Sequence, residues 1–147
     1  LTGLNPMIFG QTGDASGLGT ILNAVGFQSG VFSVTGISVF RPDPRTRLTI
    51  LTSGISTGAA NTNTANDVLL GNGQTIANLA ESVAVEARSS DGKVYMLAVE
   101  FAGAQGTLAG LDQVNVALAP ELGGAGSVQL TLVVNGVRSN TMRVMLQ

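Results

Sequence analysis

The sequence predicts an all-β fold with an extended N-terminal β arm. Three observations carry that expectation. Short runs of alternating apolar and polar residues recur along most of the chain, and period two is the strand period. Clusters of Gly, Asn, Asp and Pro separate these runs, with 20 Gly among 147 residues. Helical periodicity never extends beyond a turn or two. The length is that of one domain, large enough to bury about two-thirds of its unfolded surface.

The elements follow in order. Residues 1–28 form the arm. Residues 1–9 are apolar and include Pro6, residues 11–20 are Gly-rich, and residues 21–27 are apolar again. Residues 29–147 form the β body. Strands are expected over residues 19–23, 32–40, 46–52, 82–88, 93–102, 111–118, 127–134 and 137–146. Tyr95, Leu97, Val99 and Phe101 fall on one face, opposite Met96, Ala98 and Glu100. Val114, Val116 and Leu118 oppose Gln113 and Asn115, and Val128, Leu130, Leu132 and Val134 oppose Gln129 and Thr131. In the last strand Met142, Val144 and Leu146 form the core set. A two-residue Asn135-Gly136 turn pairs Val128 with Arg143 and mixes the faces. A three-residue loop over 134–136 pairs Val128 with Met142 and puts Gly136 at positive φ as a bulge residue. Residues 76–83 have the composition for one or two helical turns, and Pro120-Glu121-Leu122 for one. Residues 61–73 make the long irregular stretch.

Composition excludes much chemistry. The chain has no Cys, His or Trp. Disulfides, thiolate metal sites and His-based general catalysis are therefore absent. The net charge is -2, the pI is near 4.8 and there is one lysine, Lys93, which does not describe a nucleic-acid surface. Ser, Thr, Asn and Gln number 11, 14, 10 and 7, a total of 42 against 16 charged residues. Such an uncharged polar surface fits an extracellular or cell-surface address. Mean hydropathy is +0.36, high for a soluble monomer, so apolar surface is expected to be covered by another chain. No apolar run reaches the length of about 20 residues that a spanning helix needs, and no leader-like segment is expected in residues 1–147.

Ser16, Ser29 and Ser53 lie near glycines but have no histidine partner. A Ser-Lys pair or an isopeptide cross-link must use Lys93, which follows the turn Ser89-Ser90-Asp91-Gly92 and reads as a hairpin tip. Glu81, Glu86, Glu100 and Asp112 are the carboxylates near strands, without the aromatic platforms of a glycosidase cleft. The glycines at 13, 17 and 19 lack the Gly-Lys-Ser/Thr of a phosphate loop. Calcium is the least implausible metal, on Asn61, Asn63, Asn66 and Asp67, yet these are ordinary turn residues. No Asn-x-Ser/Thr sequon is present. The expectation is a protein that is not an enzyme and has no metal and no cofactor.

Two stretches resemble a known family. Gly110, Leu111, Gln113, Val114 and Asn115 match a "G-L-x-Q-V-N" strand, and Gly136, Ser139 and Asn140 match the end of a "G-x-V-x-V-x-V-x-x-G-x-x-S-N" hairpin. Residues 49–55 are similar to an "L-F-A-T-G-L" strand. Pro6, Ile8, Phe9, Gly17, Gly19 and Asn23 are similar to a "P-x-I-F…G-x-G…N" segment. The chain thus resembles the C-terminal β-sandwich domains of large secreted acidobacterial proteins. The resemblance implies an immunoglobulin-like sandwich of the IPT/TIG type and an extracellular address. It transfers no catalytic residue.

In that family the "P-x-I-F" segment follows another β-domain, whereas here it starts at residue 6. An apolar strand without its upstream neighbour seeks an edge to pair with. The expected function is therefore an extracellular structural subunit. Its arm adds a strand to the next copy, and head-to-tail addition builds a filament. Ile8, Phe9, Ile21 and Leu22 are the expected subunit interface. The partner is then the chain itself, with no nucleic acid and no small-molecule substrate. The alternative is a non-catalytic binding or anchoring module of a larger secreted protein, with a surface glycan or protein as ligand. The small aromatic stock argues against sugar stacking.

Overall fold

A computed structural model describes residues 6–10, 20–23, 31–32, 45–55, 67–69, 73, 75–106 and 110–147. Its strands are β1 (Met7–Ile8), β2 (Ile21–Asn23), β3 (Val31–Phe32), β4 (Arg47–Ser53), β5 (Val68–Leu69), β6 (Thr75–Ile76), β7 (Val83–Arg88), β8 (Val94–Ala104), β9 (Asp112–Ala117), β10 (Gly126–Val134) and β11 (Val137–Leu146). Single 3₁₀ turns occupy Ala80–Ser82 and Pro120–Leu122, within the two segments expected to turn. Among the described residues there is no α-helix. The all-β expectation holds.

Nine strands run in the order β1-β4-β9-β8-β7-β10-β11-β3, with β2 also on β4, and they form two antiparallel layers of a sandwich. Among the described strands only the short β11–β3 pair is parallel. The first layer holds β1, β2, β4 and β9, the second holds β7, β10, β11 and β3, and the eleven-residue β8 belongs to both. Its first part pairs with β7 through Val94–Leu97, and its second part pairs with β9 from Ala98 to Ala104. Glu100 forms a bulge between Val99 and Phe101 where the strand changes layers, a common way to turn a sheet corner. Arg47 grips the Glu100 carboxylate from Nε and Nη2 at 3.2 and 3.0 Å, tying β4 to the bulge.

The bulge corrects the predicted alternation of β8. Tyr95 and Leu97 face inward as expected, but the extra residue reverses the parity beyond Val99. Ala102, not Phe101, is fully buried. Phe101 lies instead on the outer side of β8, in the same cross-strand rank as Asn115. The core is Leu48, Ile50, Val85, Val114, Val116, Val128, Leu130, Leu132 and Val134, with their neighbours.

The last hairpin differs from expectation in its loop. Asn135 and Gly136 both take positive φ, 48° and 84°, and Val134 pairs directly with Val137. This is a two-residue I′-type turn, whose twist matches the flanking strands. The register is rescued inside the ladder. Leu132 stands opposite two residues, Ser139 and Asn140, so Val128 meets Val144 rather than Met142 or Arg143. The Ser139 hydroxyl accepts the Leu132 N–H at 2.9 Å, supplying the partner that the bulge removes.

Candidate functional site

The arm residues expected at an interface are Ile8, Phe9, Ile21 and Leu22. β1 and β2 lie one after the other along the same edge of β4. Met7 and Ile8 face Ser53 and Thr52, and Ile21, Leu22 and Asn23 face Ile50, Thr49 and Leu48. The handover runs through Leu51, whose carbonyl accepts the Phe9 N–H and whose N–H donates to the Thr20 carbonyl, each at 3.1 Å. The Ile8 and Ile21 side chains are 1% and 2% exposed and belong to the core of their own chain. Leu22 is half-buried, and Phe9 is 36% exposed. Of the four residues expected between copies, Ile8 and Ile21 lie in the core of the chain that carries them, and Phe9 and Leu22 stay partly accessible. Two are core residues in cis, because an antiparallel strand on β4 alternates its side chains into the sandwich.

The second edge of β1 is closed by a side chain. The Ile8 N–H donates to Asn140 Oδ1 at 2.8 Å, and Asn140 Nδ2 donates to the Ile8 carbonyl at 3.0 Å. One carboxamide thus satisfies both outward backbone groups of Ile8 and joins β1 to β11, the opposite layer. The β11 bulge places Asn140 there. The Ser-Asn pair of the hairpin motif therefore serves architecture: Ser139 caps the bulge, and Asn140 fastens the arm.

A groove of about 300 Å³ lies against the outer face of the first layer, lined by Val68, Ile76, Phe101, Ala104, Gln105, Gln113 and Asn115. Three features make it. The β5–β6 hairpin contributes Val68 and Ile76. The β8 bulge turns Phe101 outward. The outer side of β9 presents Gln113 and Asn115, whose amides are ordered: Asn115 Oδ1 accepts from Thr49 Oγ1 at 2.9 Å and from Gln113 Nε2 at 3.2 Å. Gly103 lets the chain before β7 cross close to the sheet. A Cβ there lies 2.5 Å from the Ala77 carbonyl oxygen and 3.3 Å from Phe101 Cζ. Asn78 fixes that crossing, its Oδ1 accepting from the N–H groups of Ala80 and Ala102 at 3.1 and 3.3 Å. Leu69, beside the groove, is 73% exposed.

Among the described residues no titratable side chain lines this groove. The strand carboxylates are dispersed. Glu86 pairs with Arg138 through two bonds of 2.7 and 3.0 Å, which hold its carboxyl below the usual glutamate range. Glu100 is on Arg47, Asp112 is buried and accepts the Ile55 N–H at 2.8 Å, and Glu81 is exposed on a 3₁₀ turn. Among the described residues no group of three or more His, Cys, Asp or Glu is placed to hold a metal. Of the calcium candidates only Asp67 is described, and its carboxylate accepts the Asn78 N–H at 3.3 Å. Asn61, Asn63 and Asn66, and the glycines at 13, 17 and 19, lie outside the described residues. Lys93 is exposed at the β7–β8 hairpin. No family model, curated protein or solved structure matches the chain.

The groove was not legible in the sequence. Phe101 fits the inward alternation of β8 until the bulge is known, and Val68 and Ile76 sit in short runs with no period. The one available signal was the Gln113/Asn115 pair, whose parity already placed both amides on the outer face of β9.

Proposed function

We propose that this chain is a non-catalytic binding module of a larger secreted or surface protein, with an immunoglobulin-like sandwich as scaffold. Its ligand is neutral and polar with an apolar face, and neutral saccharide is the class the lining fits best. The observation that carries this reading is the composition of the groove. Val68, Ile76 and Phe101 supply apolar contact, Gln105, Gln113 and Asn115 supply amide donors and acceptors, and the described lining holds no charged group. Pockets that bind small ligands combine apolar walls with a few oriented polar groups in this way, and this one is at the small end of their range.

The test is saturation-transfer NMR on the intact chain with cellotriose, chitobiose and mannobiose. Transfer from at least one saccharide is expected, weakened about tenfold by Phe101→Ala or Gln113→Ala, as for a loss of one good contact. Absence of transfer from all three, or transfer that both variants leave unchanged, contradicts the reading.

A second reading, a filament subunit, is supported by the seat of the arm. Sheet pairing on β4 and the Asn140 clip both engage backbone groups, so the seat fits the β1 strand of another copy as well as its own.

A further inference from the structure

The outer face of the second layer has a charge balance unlike the rest of the chain. The face and its β7–β8 tip carry Arg88, Lys93, Arg138 and Arg143, four of the seven cationic residues in the sequence. Of the acidic residues described, they carry only Glu86 and Asp91. A net charge of +2 is thus gathered on one face of a chain whose total is -2. Within that face the acids are occupied. Arg138 takes Glu86 through both carboxylate oxygens. Asp91 is turned into its own hairpin, where its Oδ1 accepts the Ser89 hydroxyl and the Lys93 N–H.

A basin of about 280 Å³ lies at this place, lined by Arg88, Ser89, Ser90, Gly92, Ser127 and Gln129. The ladder sets its geometry. Gln129 of β10 pairs with Arg88 of β7 on one side and with Arg143 of β11 on the other, so two arginines flank one amide in a single cross-strand row. Both are tethered to this strip, Arg88 Nη1 by the Gly92 carbonyl at 3.3 Å and Arg143 Nη1 by Ser127 Oγ at 2.9 Å. Arginine matches the planar and bidentate geometry of oxyanions, and hydroxyl and amide donors complete such sites.

We propose that this basin binds an oxyanion group, with Arg88 as the charged anchor, Arg143 adding positive field, and Ser90, Ser127 and Gln129 as neutral donors. The site is separate from the amide-lined groove of the first layer and stands whether or not that groove binds saccharide. The test is a ¹⁵N-¹H NMR titration of the full chain with sodium sulfate, sodium phosphate and sodium acetate, each against sodium chloride at matched ionic strength. Saturable shifts are expected at the amides of residues 89–92, 127 and 129, and Arg88→Gln weakens them about ten- to a hundredfold, the usual effect of losing a charge-assisted bond. Arg143→Gln gives a smaller loss. A response to sulfate and phosphate alone assigns a tetrahedral anion, and a response to acetate alone assigns a carboxylate; both support the site. Shifts equal to those in chloride, or unchanged in an Arg88→Gln protein whose spectrum shows it folded, overturn it.

Discussion

The two layers of this sandwich are assembled by different means. The second layer is mostly sequential: β7 and β8 form a hairpin, as do β10 and β11, and apart from the bulge at Ser139-Asn140 its apolar ranks follow strand parity. The first layer collects β1, β2, β4, the second part of β8, and β9 from distant parts of the chain. Its seam depends on one carboxamide and its corner on one bulge. The difference teaches where small changes have large effects. In the second layer each side chain is one of many in a regular ladder. In the first, a few residues hold pieces that no local turn would bring together.

Predictions can break or sharpen that contrast. The largest effect is expected at the arm. Ile8→Ala and Ile21→Ala each remove a fully buried side chain and should cost about 2–5 kcal/mol in denaturant unfolding. An exposed arm would give almost nothing. Next is Gly103→Ala, whose Cβ has a backbone oxygen at 2.5 Å and no flexible side chain to displace; about 1–3 kcal/mol is expected, with shifted amides at residues 77–79. Asn140→Ala leaves both outward groups of Ile8 unpartnered and should cost about 1–3 kcal/mol, with amide exchange accelerated at Ile8 first.

The smallest effect is expected at the Glu86–Arg138 pair on the second layer, an exposed contact of the kind that contributes little. Its sign is still defined. The folded pKa of Glu86 is lowered, chiefly by the bond from Arg138. The contribution is therefore present above the ordinary glutamate pKa and lost as pH falls through the folded one. Wild type and Glu86→Gln should differ slightly in thermal midpoint at neutral pH and converge in acid.

The same contrast explains what could be read from the chain itself. Strands β7, β10 and β11 of the second layer begin and end within a residue or two of the positions given by alternation, while most of the strand expected over 32–40 lies outside the described residues. Val128, Leu130, Leu132 and Val134 are all buried, as their parity requires. Asn135-Gly136 is a strong local turn signal, and the turn forms at that dipeptide. The compensating bulge at Ser139-Asn140 was not visible, because its reason is tertiary: Asn140 must reach a strand more than a hundred residues earlier, at Ile8. Phe101 was misassigned for a similar reason, since the corner at Glu100 exists to carry β8 from one layer to the other. The apolar character of the arm was legible, but its destination was not. Period two shows that Ile8 and Ile21 want burial and cannot show against which chain.

That last point decides between a self-contained module and a polymer subunit. The direct measurement is an isotope-filtered NOESY spectrum on an equimolar mixture of ¹³C,¹⁵N-labelled and unlabelled chains, refolded together. The structure predicts strong contacts between Ile8 and the Asn140 side chain within labelled molecules and none between labelled and unlabelled ones. Intermolecular contacts between those two residues would show the arm seated on a neighbouring copy and would contradict the account.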